Sequence, residues 1–192
     1  MSRAPRIAHR ALALDVAAFC RDRATLSGRW PLAELPRLAA AVSETGGAVG
    51  DAAADWQAGG SQLPVRAGRA QCLIELQVDT CLILECQRCL QAMQVPLQVR
   101  GRFRFVDDED EAARLDEELE DDVLALTARL DLRELVEDEL LLAVPLVPRH
   151  EACPDLPSAL AAAAPGPGDP VTRDEHPFAV LAALAKARGS EG

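Results

Sequence analysis

The sequence predicts an α+β fold, an antiparallel β-sheet packed by one main helix, and three observations carry that prediction. Residues 70–86 and 93–106 each alternate apolar with polar side chains, the two-residue period of a strand. "ECQRCLQA", running from Glu85 to Ala92, joins them, so an antiparallel hairpin with a CxxC turn between its strands is the economical arrangement. "LDLRELVEDELLLAVP", residues 130–145, then switches to the helical period.

In chain order, "LAELPRLAAAV" (32–42) reads as a short helix, with Pro36 tolerated only in its first turn. "TGGAVGDAAADWQAGGS" (45–61) is rich in small residues and predicts a strand and loops, or a partly mobile stretch. In the first strong strand Cys72, Ile74, Leu76 and Val78 share one parity, against Gln71, Glu75 and Gln77. In the second, Val99, Phe103 and Phe105 face one way and Arg100, Arg102 and Arg104 the other. The segment 107–122, "DDEDEAARLDEELEDD", is too charged for a core and reads as a solvated loop or helix inserted in the domain.

The main helix is expected over 131–143. Asp131 is placed to cap it, and Glu134 three residues on makes a variant capping box. Leu132, Leu135, Val136, Leu140 and Ala143 form its apolar stripe, with Glu134, Glu137 and Asp138 opposite, and Pro145 ends it. "LVPRHEACPDLP" is extended. The organisation predicted is a single domain over 1–153, an Ala/Pro/Gly-rich linker over 154–175 and a tethered C-terminal helix over 176–188. So short a helix needs somewhere to dock.

Composition narrows the function. The net charge of −11 argues against a generally basic nucleic-acid binder. The charge is uneven, however: residues 107–122 hold eleven acids against Arg114, while 1–37 and 61–106 are basic. Lys186 is the only lysine and no Gly-rich turn precedes it, which excludes a P-loop. Tyrosine is absent and His9, His150 and His176 are scattered, so no acid–base or nucleophile set is supplied and no enzyme is expected. No apolar run approaches the ~20 residues that span a bilayer. "MSRAPRIAHRALALD" lacks the apolar segment and cleavage site of a secretory signal. The chain reads as soluble and cytoplasmic, without a membrane partner, and its six cysteines as thiols or metal ligands rather than disulfides.

Two groups carry chemistry. Cys86 and Cys89 lie in a turn between strands; a thioredoxin-like pair would open a helix, so a redox role is disfavoured. "HEAC" offers His150 and Cys153 as a second pair, and Cys86, Cys89, His150 and Cys153 together match the four-ligand demand of structural zinc. The gap between the pairs is sixty residues, which only the fold can close. One structural zinc and plain reduced thiols remain open here. Cys20, Cys72 and Cys81 read as core residues, and Trp30 and Trp56 as buried.

The second group is "RGRFRF". Alternation presents Arg100, Arg102 and Arg104 on one strand face at about 7 Å intervals, a spacing that suits successive phosphates. A solvated face answering the acidic segment is the bland alternative. Arg88, in the turn, is a fourth candidate for RNA contact.

"LECQRCL", "LDLRELVEDELLLAVPLVPRHEAC" and "HPFAVLAALAKA", in this order and spacing, resemble the YceD family of large ribosomal RNA subunit accumulation proteins. The family pattern falls on Cys86, Arg88 and Cys89, on Val136, Glu137, Asp138 and Glu139, on Pro145, Pro148, His150 and Cys153, and on Pro177 and Phe178. The resemblance implies a non-catalytic ribosome-biogenesis factor needed for synthesis, processing or stability of 23S ribosomal RNA. Its partner would be that RNA or large-subunit precursor particles. The rival expectation is an adaptor that recruits a nuclease or a ribosomal protein.

Overall fold

A computed structural model describes residues 9–64 and 70–154. The predicted C-terminal helix, and the predicted linker beyond Pro154, lie outside the described residues. The rest builds one five-stranded sheet in the order β1 (Thr25–Pro31), β2 (Ala53–Leu63), β3 (Gln71–Glu85), β4 (Ala92–Val106) and β5 (Asp122–Ala125). Neighbours are antiparallel from β1 to β4, whereas β5 runs parallel to the end of β4.

The β3–β4 hairpin follows the alternation seen in the sequence. Ile74 lies opposite Phe103 and Val78 opposite Val99 on the core face; Glu75 meets Arg102 and Gln77 meets Arg100 on the outer face. Helices α1 (Val16–Arg21), α2 (Pro36–Glu44) and α4 (Leu132–Ala143) bring Phe19, Leu38, Val42, Leu132, Val136 and Leu140 into the same buried cluster as Ile74, Leu76 and Phe105. Burying such side chains is the main favourable contribution to folding.

β2 runs through the stretch of small residues, and packing explains its composition. Ala54 and Ala58 are fully buried. A Cβ at Gly60 would lie 2.6 Å from the Phe19 ring, and one at Gly28 would lie 2.8 Å from the Trp56 indole. Small residues there let α1 and Trp56 close onto the sheet, so weak strand propensity yields to tertiary contact. Trp56 is buried and stacks on half-buried Trp30, ring centroids 4.4 Å apart. Cys20 and Cys72 are buried, but Cys81 is exposed. Its odd position puts it on the outer face with Gln77 and Asp79, which strand parity required.

The acidic insertion is structured. Asp108 accepts a hydrogen bond from the Glu111 N–H at 2.8 Å and caps α3 (Glu109–Asp116). Ala112 of that helix packs with Val106 and Val123 in a small second core, and β5 follows.

α4 begins where the capping argument places it, with the Asp131 carboxylate accepting from the Arg133 N–H at 2.8 Å. Leu132, Val136 and Leu140 are buried as the stripe predicts, while Ala143 is exposed. Glu137 departs from the predicted solvent face: it is 4% exposed. Its carboxylate accepts from the backbone N–H groups of Arg37 and Leu38, at 2.7 and 3.1 Å, and from Arg37 Nε at 2.9 Å. α2 starts Leu-Pro, without a local capping side chain, and Glu137 supplies the missing acceptor from another helix. An uncapped helix start was the signal in the sequence that an external carboxylate was needed.

Candidate metal centre

The hairpin tip is built from backbone geometry. The Leu90 N–H donates to the Cys86 carbonyl at 2.8 Å, and the Cys86 N–H donates to Gln91 at 2.9 Å. This tight turn forces Leu90 to a φ of 59°, a left-handed conformation that costs a branched residue about 1 kcal/mol or more. It also aims Cys86 and Cys89 to one side. The extended segment after α4 reaches the same place, where the Gln87 N–H donates to the Pro148 carbonyl at 2.9 Å and the His150 N–H to Cys86 Sγ at 3.4 Å.

The two predicted pairs therefore meet. The ligand atoms of Cys86, Cys89, His150 and Cys153 all lie within 4.8 Å of one another. Cys86 Sγ is 3.8 Å from Cys153 Sγ, and Cys89 Sγ is 3.4 Å from His150 Nδ1. A tetrahedral zinc site with ordinary bond lengths sets sulfurs about 3.8 Å apart and a sulfur–nitrogen pair about 3.6 Å apart. The donor set fits. Cys86 is fully buried and the other three are half-buried, so a closed four-ligand site suits them better than one open to substrate.

The thiols themselves are poised unequally. Burial pushes the Cys86 thiol up, but the backbone N–H groups of His150, Arg88 and Cys89 outweigh it and bring the value down to about 5. Cys89 is pushed up, first by burial and then by the neighbouring Cys153 and Cys86 sulfurs. Thiols crowded in this way resist ionising together, and a divalent cation among them removes the conflict.

The arginines have separate fates. Arg88 Nε donates to Cys153 Sγ at 3.0 Å, and its Nη2 donates to the carbonyls of His150 and Glu151 at 3.0 and 3.3 Å. Arg102 and Arg104 grip Asp121, a residue 7% exposed, one on each carboxylate oxygen at 3.1 and 2.6 Å. Arg104 also reaches Gln71 at 3.3 Å, and Arg102 lies 3.9 Å from Glu75. Arg100 is exposed and, among the described residues, forms no ion pair. A polar depression of about 460 Å³ lies on the same sheet, lined in part by Ser27, Arg29, Gln57, Gln77 and the facing carboxylates Asp55 and Asp79. The outer face is thus mixed in charge rather than basic. Asp121 is the residue that sequence reasoning missed here; it lies inside the acidic run, whose members look alike until one is buried.

Among the described residues, fold and cluster together define an α+β unit built on one sheet, with a sulfur-rich knuckle at a hairpin tip. The chain belongs to the YceD family: the family model described as large ribosomal RNA subunit accumulation protein YceD matches residues 74–185, which include all four cluster residues. A Haemophilus influenzae protein with that same description is 34% identical over 111 residues, 58% of this chain and 62% of the relative. The match thus spans less than two thirds of the relative's length. No solved structure matches the chain. Among the described residues, no helix is long and apolar enough to cross a membrane.

Proposed function

We propose that this chain is a non-catalytic ribosome-biogenesis factor that sustains accumulation of 23S ribosomal RNA, acting on that RNA or on large-subunit precursor particles. Family membership across residues 74–185 carries this reading, since the matched relative bears the name of a large ribosomal RNA subunit accumulation protein. Within it, one structural zinc held by Cys86, Cys89, His150 and Cys153 fastens the segment after α4 to the hairpin tip. Convergence of three sulfurs and an imidazole nitrogen within 4.8 Å supports that assignment. Bound there, zinc supplies a crosslink rather than a reaction.

Direct RNA contact would fall to Arg100 first, assisted by Arg102, whose side chain is 56% exposed. Arg104 is 19% exposed and held by Asp121, and the exposed Arg88 engages Nε and Nη2 at the cluster, so both would add a smaller share of phosphate contact. A second reading draws support from Leu90, Leu142, Leu146 and Val147, all at least half exposed on or near the end of α4 and the knuckle. Such side chains suit an adaptor that binds a nuclease or ribosomal protein. Depleting the protein in cells and following the ratio of mature large- to small-subunit ribosomal RNA tests the main reading. A fall rescued by the wild-type gene is expected; an unchanged ratio would sink it. Co-purification of one protein from RNase-treated extract, with no salt-dependent RNA binding, would favour the adaptor.

A further inference from the structure

We propose that Arg88 is the positioning residue of the knuckle: it aligns the second ligand pair and balances the charge of the metal-bound cluster. The inference rests on the zinc assignment and concerns how this chain, rather than the metal, closes the site.

Three observations converge on this side chain. First, its planar fork bridges the two halves of the cluster. Arg88 lies between Cys86 and Cys89 in sequence, yet its donors end on Cys153 Sγ and on the carbonyls of His150 and Glu151, at 3.0–3.3 Å. The segment that supplies the second pair has no regular secondary structure of its own beyond α4. Its other backbone ties to the knuckle are the Gln87–Pro148 and His150–Cys86 contacts. Arg88 therefore orders the stretch carrying half of the ligands.

Second, the sulfur contacts are distributed. The His150 backbone N–H is directed at Cys86, whereas Cys153 receives the Arg88 guanidinium. A hydrogen bond to a ligating thiolate draws charge from the sulfur and fixes its direction, the usual role of groups just outside a metal's ligands. Third, the charges close. Zinc with three thiolates and a neutral imidazole is one unit negative, and one guanidinium returns it to neutral in a half-buried setting where an uncompensated charge is costly. Lysine cannot substitute fully, because a single ammonium cannot span a sulfur and two carbonyls with the geometry of a fork.

The test uses the full-length protein as wild type, R88A, R88K and R149A, the last an exposed arginine on the same segment. Zinc content is measured after purification, zinc affinity by competition with a chelating dye, and Cys153 reactivity by alkylation and mass spectrometry. Wild type and R149A are expected to hold one zinc with equal affinity. R88A should bind about 10–100-fold more weakly, with Cys153 alkylated faster. Its melting temperature in excess chelator stays that of wild type, and in equal zinc it falls short of wild type by the stabilisation the weaker affinity forfeits. R88K should fall between. That split, affinity lost and metal-free stability kept, is what a merely structural arginine would not produce. Wild-type affinity in R88A would overturn the positioning role and leave the zinc assignment standing. Wild-type protein that takes up no zinc would overturn both. Should R88A fold poorly, R88K decides: weaker zinc retention than wild type supports the role, and equal retention ends it.

Discussion

The hairpin β3–β4 carries two candidate sites, and they reach their final state by opposite routes. At its tip, residues about sixty positions apart converge on a point and present a donor set with room for a cation. Along β4, residues two positions apart present a row of cations, and the fold delivers a carboxylate to two of them. Proximity in sequence placed the arginines in register, yet the buried Asp121 pairs two of them, Arg102 and Arg104, and leaves the exposed Arg100 without an ion pair among the described residues. Separation in sequence left the two ligand pairs of the knuckle about sixty residues apart, and backbone hydrogen bonds bring them together. Spacing in a sequence announces which groups share a face; it says nothing about what arrives from elsewhere to neutralise them.

The sharpest way to break this contrast is to remove the metal ligands. In the Cys86→Ser/Cys89→Ser pair no zinc should be retained. Wild type should gain about 3–4 kcal/mol of unfolding free energy from zinc at a hundred- to thousandfold excess over Kd, a gain the variant lacks. Melting curves with zinc and with chelator measure it, and a wild type indifferent to both would reduce the knuckle to ordinary thiols.

Asp121→Ala comes next in size. It leaves two guanidiniums without their carboxylate, one of them in a side chain 19% exposed. Because Arg102 is more than half exposed, water recovers part of the loss, and about 1.5–3 kcal/mol is expected in urea unfolding. The same variant should bind polyanions more tightly at low salt. Unchanged stability would mean that the clasp contributes nothing and the arginines are free after all.

Smaller in free energy but more direct for function is Arg100→Ala. If this residue contacts RNA phosphate, the slope of log affinity against log salt should flatten by about 0.7–0.9, the share of one phosphate contact. Fold stability should hardly move, in contrast to Asp121→Ala. An unaltered slope would take Arg100 out of the interface.

Glu139 gives the smallest effect. Burial, then the nearby Asp122 and Asp138, push its carboxyl above the ordinary value of 4.5. A raised acid favours the folded state below the ordinary value and loses that advantage as pH rises through the folded-state value. Glu139→Gln should therefore stabilise the protein at neutral pH by a few tenths of a kcal/mol, about the scale of solvent-screened charge interactions, and flatten the decline just above pH 4.5. A decline that persists in the variant would assign it to another carboxylate.

Much of the architecture was legible beforehand, for identifiable reasons. Long alternation in β3 and β4 and the capped stripe of α4 are local patterns strong enough to survive any tertiary context. α1 and β1 were not anticipated: α1 has only six residues, and β1 is an edge strand with Gly28 where the Trp56 indole lies over the backbone. β2 was obscured by alanines and glycines whose purpose is to admit Phe19 and Trp56. Helical periodicity places Glu137 in solvent, because it cannot foresee a second helix whose N–H groups lack a cap.

What the sequence alone determined is whatever depends on neighbours within a few residues. That includes the face each side chain of the hairpin takes, the tight turn that pairs Cys86 with Cys89, and the start of α4 at Asp131. Backbone geometry sets these, and it repeats every two or 3.6 residues whatever surrounds it. The tertiary structure decided the rest: His150 and Cys153 brought to the knuckle, the exposed Arg88 given Cys153 as a partner, and Asp121 seated between Arg102 and Arg104. Each of these is a meeting of charged or ligating groups from distant segments. Such groups act through space, so their pairing was settled only once the core had fixed where the segments lie.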